Sequence, residues 1–137
     1  MLCPLTRINM GESTVKRVTV STPLDGVTAT TTSSALPMDN VTKATWVFTR
    51  ADHSSGSTAF TVEVSADNST WIGYNKLISN ATNTNSQTLI RTAGPTLSSN
   101  TSETVTMDLE HDTFAYVRVT ATETTDGTHT AKLIRQY

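Results

Sequence analysis

"FTVEVSADNSTW", residues 60–71, is the stretch on which the fold class turns. Phe60, Val62 and Val64 alternate with Thr61, Glu63 and Ser65. Strict period-two alternation is the pattern of a strand with one face buried. "ADNS" (66–69) follows, and Asp and Asn tolerate the left-handed and Asx-type geometry of a tight turn. Trp71 then sits in a second apolar run, "TWIGYNKLI" (70–78). Residues 58–78 are therefore expected to form a β-hairpin.

The same pattern recurs on both sides. "STVKRVTVS" (13–21) places Val18 and Val20 on one face. "GVTATTTSSA" (26–35) has β-branched residues but few large apolar groups, which predicts a thin or edge strand. Pro23 and Pro37 cannot donate to a ladder and are expected outside strand interiors. "KATWVFTR" (43–50) puts Ala44, Trp46 and Phe48 on one face. "TLIRT" (88–92), "ETVTMDL" (103–109), "FAYVRVTAT" (114–122) and "THTAKLIRQY" (128–137) complete the set. Val105, Met107 and Leu109 are expected to point inward, as are Ala115, Val117, Val119 and Ala121. The Asp-Gly of "TDG" (125–127) favours a type I′ turn. Eight or nine short strands without an amphipathic helix predict an all-β fold. The long loops favour an antiparallel β-sandwich with jelly-roll-like connections. Residues 1–13 carry no pattern and are expected to be an extended N-terminal arm, with 14–137 a single domain.

Composition limits the function. The chain has 137 residues, a net charge of -2 and 16% charged residues. It has 29 threonines, which suit the solvated face of a sheet. No charge field exists to attract nucleic acid or an anionic membrane, so neither is expected as a partner. No apolar run approaches the roughly 18 residues of a membrane span. The N-terminus has no secretory signal pattern, so synthesis in a host cytoplasm is expected. Cys3 is the one cysteine, which excludes an intrachain disulfide. Four Asn-x-Ser/Thr sequons, at Asn40, Asn68, Asn80 and Asn100, compare with about two or three expected by chance in so hydroxyl-rich a chain and are read as accidental.

No reaction centre stands out. There is no nucleophile elbow and no phosphate loop, and an enzyme is not expected. His53, His111 and His129 are not paired at ligand spacing and are read as solvated imidazoles. "MDLEHD" (107–112) gathers Asp108, Glu110, His111 and Asp112 but lacks the glycine and spacing of an EF-hand. No metal, cofactor or catalytic residue is therefore expected. Lys132, Arg135 and Arg118 could form a small basic patch, or be ordinary surface scatter. Trp71 and Tyr74 are the candidates for an aromatic ligand platform, against the simpler reading in which both rings pack in the core.

"FTVEVSADNSTWIGYNKLI", with "FAYVRVTATETTDGTHTAKL" downstream, resembles a pattern in small structural proteins of tailed phages. The resemblance covers roughly residues 43–137 and is to capsid decoration, or cement, proteins and related minor head proteins of β-sandwich fold. It implies a protein on the outer capsid surface of the virion. The partner would be the major capsid protein, whose subunit contacts it would stabilise. It also implies a homo-oligomer, with a trimer on local three-fold axes. Two alternatives stay open: a carbohydrate-binding module of a head fibre or adhesin, and a tail or baseplate component.

Overall fold

The computed structural model describes residues 17–74, 76–80, 88–98, 102–109 and 114–137. The expected arm, 1–13, and the turn at 110–113 lie outside the described residues. The described residues contain twelve strands: β1 (Val18–Val27), β2 (Thr31–Thr32), β3 (Leu36–Pro37), β4 (Lys43–Ala51), β5 (Thr58–Ser65), β6 (Ile72–Gly73), β7 (Lys76–Asn80), β8 (Thr88–Thr92), β9 (Thr96–Leu97), β10 (Glu103–Leu109), β11 (Tyr116–Glu123) and β12 (Thr128–Gln136). Eight of the strands run five residues or more and overlap the segments expected from the sequence, except that the expected 26–35 strand has no long counterpart of its own.

Ten of these strands form two antiparallel sheets, and β7 and β8 form a separate two-stranded ribbon. One has the order β1-β12-β4-β10. The other has the order β2-β11-β5-β6, with β3 also on β11 and β9 also on β5. The pairing is nested: β1 with β12, β2 and β3 with β11, β4 with β10, β5 with β6. The sheets face each other as a sandwich. Trp46 and Phe48 stack on β4 at 5.7 Å between ring centroids, and Phe48 stacks on Phe60 of the opposite sheet at 4.7 Å. Val62, Val117, Val119, Ala121, Ala131 and Leu133 complete a fully buried layer. Alternation produces this layer, because each inward position of a strand meets the inward positions of its neighbours.

Several expectations change. Pro23 lies within β1 rather than outside it. It falls between Ser21 and Leu24, where the register with β12 shifts, on an edge strand. Edge strands and bulges are the two places a ladder tolerates proline. Val18 and Val20 do share a face, but it is the solvent face, at 52% and 60% exposure. The 26–35 segment is divided: Val27 ends β1 in one sheet and Thr31–Thr32 is an edge of the other. The hairpin at 58–78 closes through only two pairs, Glu63 with Gly73 and Val64 with Ile72. The chain then leaves the sheet, and β7 pairs with β8 as a separate two-stranded ribbon. The Asp-Gly turn is not type I′. Gly127 has positive φ (121°) and Asp126 does not, and the 124–127 connection passes from one sheet to the other.

Candidate functional site

Two clusters of polar and aromatic side chains stand out among the described residues. The first surrounds Trp71. The turn that leads to it is held by its own side chains. Asp67 Oδ1 accepts from the amides of Ser69 (2.9 Å) and Thr70 (2.8 Å), and Ser65 Oγ accepts from the amide of Asn68 (2.9 Å). Asn68 takes the left-handed conformation (φ 62°). These donors, the Thr70 amide first, hold the Asp67 carboxyl well below the usual carboxylate range.

Beyond the turn, the Arg118 guanidinium lies 4.2 Å from the centre of the Trp71 ring. Its Nε donates to Glu63 Oε2 at 2.8 Å. Arg118 and Glu63 are directly opposed on β11 and β5, so the sheet register fixes the pair. A cation over indole at a partly exposed site contributes about 0.5–1 kcal/mol. One face of Trp71 is thus covered by the protein itself. Tyr74 does not join it as a platform. Its side chain is buried, at 6% exposure, and packs edge-to-face on Phe114 at 6.5 Å. Its amide donates to the Val62 carbonyl. Strand parity does not account for this, because Ile72, two residues earlier, pairs with the inward Val64 and yet is 65% exposed.

The second cluster was not foreseen. Arg50, Thr58 and His129 are each 0% exposed at one end of the sandwich. Arg50 and His129 face each other across β4 and β12, and Thr58 approaches from β5 of the other sheet. His129 Nε2 lies 2.6 Å from Glu123 Oε2, and His129 Nδ1 lies 3.1 Å from Thr58 Oγ1. Arg50 Nη2 donates to the carbonyls of Ser55 and Asp126. Asp126 accepts from the Ser54 hydroxyl (2.6 Å) and amide. The Ser54 hydroxyl above all keeps the Asp126 carboxyl below its ordinary value. His129 is therefore no solvated imidazole, and His53 is half-buried; His111 lies outside the described residues.

Hydroxyl, imidazole and carboxylate in series have the order of a nucleophilic relay. Here the hydroxyl and the imidazole are sealed inside, and the series ties the two sheets and the loops at 52–57 and 124–127 together. Parity was the signal that could have found it. Arg50 continues the inward row of Ala44, Trp46 and Phe48, and His129 begins the row of Ala131 and Leu133. Arg135 continues that row and is buried. It donates to the Pro37 carbonyl (2.8 Å) and to Ser21 Oγ (2.6 Å). Lys132 is exposed on the opposite face of β12, and Arg118 is on the other sheet, so the three make no basic patch. Asp108 is exposed and accepts from Thr45 Oγ1 at 2.8 Å. Among the described residues no three His, Cys, Asp or Glu side chains gather at metal-binding distance.

No family model and no curated protein sequence matches the chain. Solved structures do match in fold. The SPBc2 prophage-derived protein YomS is similar at a TM-score of 0.61 and 12% identity, over 90% of this chain and 96% of that one. A chain from the structure of infectious bursal disease virus, Gx strain, is similar at a TM-score of 0.50 and 9% identity. That likeness covers 88% of this chain and 32% of the viral chain, so this protein corresponds to about a third of it. At these identities the likeness establishes the fold.

Proposed function

We propose that the protein is a structural component of a phage virion, a decoration protein that binds the outer surface of the head and bridges major capsid subunits. The observation that carries this reading is the near full-length likeness to a prophage-derived protein of similar size. The nested strand pairing supports it as well, since jelly-roll-like sandwiches recur in viral shells. The buried polar cluster fits a scaffold role: it stiffens one end of the sandwich, away from solvent. A protein of this kind acts by adhering at many equivalent positions, where multivalency replaces strong single contacts. It acts without catalysis or cofactor.

The test is direct. Purified protein is added to undecorated heads, which are then challenged by heat and by salt shock. Binding in a fixed number of copies and greater head survival are expected. Heads that neither bind the protein nor gain stability would refute the reading. Trp71 supplies the control for a sugar-binding module. Trp71→Ala should leave head binding within about twofold, because the ring is engaged by Arg118 within its own chain. Glycan binding that disappears in Trp71→Ala, with the fold intact, would replace the capsid reading by a carbohydrate one.

A further inference from the structure

The series of Thr58, His129 and Glu123 is closed to outside substrates, because the hydroxyl and the imidazole are buried. It is not closed to the chain's own backbone. A threonine hydroxyl can close a small ring on the carbonyl carbon of the residue before it, so no substrate has to enter. The bond within reach is the peptide bond between Ser57 and Thr58.

That bond is held as an acyl transfer requires. The Ser57 carbonyl oxygen accepts from the Thr124 amide at 3.0 Å and from the Thr124 hydroxyl at 3.2 Å. The amide continues the β5–β11 ladder; the hydroxyl is an addition to it. Two donors on one carbonyl oxygen form an oxyanion hole. The Ser57 amide donates to Thr124 Oγ1 at 2.8 Å, so Ser57 is clamped from both of its peptide groups. His129 Nδ1 stands 3.1 Å from Thr58 Oγ1, within the range of a general base. Glu123 Oε2, 2.6 Å from Nε2, favours the tautomer with its proton on Nε2 and leaves the Nδ1 lone pair for the hydroxyl. Glu123 is directly opposite Thr58 in the sheet register, and Thr124 is the next residue. Strand pairing therefore delivers nucleophile, base and carbonyl donors to one peptide bond. Ser57 is half-buried, and Gly56 and Thr124 are exposed, so water reaches the carbonyl side.

We propose that the chain cuts itself once, between Ser57 and Thr58. Thr58 Oγ1 attacks the Ser57 carbonyl carbon, and its proton passes to His129 Nδ1. Thr124 holds the oxyanion. The carbon–nitrogen bond then breaks, and His129 returns the proton to the Thr58 nitrogen. Ser57 is now an ester on Thr58 Oγ1, and the Thr58 amino group is free. Water hydrolyses the ester, which restores the hydroxyl and leaves a carboxylate on Ser57. His129 is the catalytic residue, and Glu123 positions it. The two pieces stay together, since the strands before the cut belong to both sheets: β1 and β4 to one, β2 and β3 to the other. The step is a single event on this chain alone. It leaves no turnover activity behind and stands apart from the virion reading.

The experiment incubates the full-length protein at neutral pH with and without hydroxylamine, which traps the ester, and then measures intact mass after denaturation. The sequence has no Asn-Gly bond, the ordinary hydroxylamine-sensitive link. Fragments ending at Ser57 and beginning at Thr58 are expected, faster with hydroxylamine and then carrying a hydroxamate on Ser57. Thr58→Val should stay whole, and Thr58→Ser, which keeps the hydroxyl, should still be cut; circular dichroism checks both folds. Thr124→Val should slow scission about a hundredfold. Glu123→Gln keeps an acceptor oxygen but not the charge, and should slow scission while retaining most of the stability. A folded wild-type chain that stays whole in hydroxylamine, a cut at another bond, or equal scission in folded Thr58→Val overturns the proposal. If Thr58→Val does not fold, the exposed Thr124 decides: scission of Thr124→Val at the wild-type rate overturns it as well.

Discussion

Gly94 and Gly73 make opposite predictions for the same substitution. Residues 93–97 run as a rib along β5. The Phe60 amide donates to the Pro95 carbonyl at 2.9 Å and the Val62 amide to the Ala93 carbonyl at 2.8 Å. Thr96 and Leu97 then pair with Ala59 and Thr58. Gly94 sits between the two bonded carbonyls, and a methyl group there would run into the Phe60 carbonyl oxygen and come within 2.9 Å of its carbon. Both obstacles are backbone, so the rib must withdraw. Losing two backbone hydrogen bonds costs about 1–3 kcal/mol at 0.5–1.5 each. If Leu97, now 1% exposed, follows, its lost burial adds roughly 1.5–3 kcal/mol. Gly94→Ala should therefore destabilise by about 2.5–6 kcal/mol, which for a domain of this size lowers Tm by roughly 10–20 °C. Gly73 has open space where its Cβ would stand, and its φ is not in the left-handed region. Gly73→Ala should be neutral or stabilising by up to about 1 kcal/mol, through the entropy of the unfolded chain. Urea unfolding followed by far-UV circular dichroism gives both values. Hydrogen exchange at Phe60 and Val62 reports the rib itself. A Gly94→Ala protein with wild-type midpoint and wild-type protection at those two amides would refute the reasoning.

Three further outcomes are expected. Phe48→Ala removes the ring stacked between Trp46 and Phe60 and should cost about 3–5 kcal/mol in urea unfolding; a loss under about 1.5 would mean the sheets do not interlock there. Glu123→Ala leaves His129 Nε2 without its partner and should cost about 1–3 kcal/mol, while Glu123→Gln, which keeps an acceptor oxygen, should recover at least half of that; equal losses would dismiss the hydrogen bond as the cause. The Asp67 and Asp126 carboxyls are both depressed below the ordinary 3.8 in the folded protein. Their contribution is fully present above that value and is lost as pH falls through the folded values. The urea midpoint should therefore drop as the pH is lowered from about 6 to about 3, and drop less in Asp67→Asn/Asp126→Asn; an identical drop in the double variant would assign the acid sensitivity elsewhere.

The sandwich core was legible because alternation is a local signal. Phe60, Val62 and Val64, the Trp46 row and the Val117 row each declared their inward side from the sequence. The Asp-Asn turn at 66–69 was legible for the same reason, since Asp67 and Asn68 act within three residues of themselves. What misled was chemistry judged by residue type. His129 and Arg135 are polar, and polarity suggested the surface, yet their parity put them inside, as it did Arg50. Tyr74 was considered as a platform beside Trp71, yet its ring is buried against Phe114.

The sequence by itself determined that the chain is all-β, which face of each long strand in the core is buried and where the tight turn after β5 falls. These follow from period-two patterning and turn chemistry, both properties of a few adjacent residues. Only the tertiary structure decided which strands become neighbours and that the connections at 52–57 and 124–127 pass between sheets. It alone brought Thr58, Glu123 and His129 together. Those features depend on contacts between residues far apart in the chain, and no local pattern encodes which distant strand a given edge will meet.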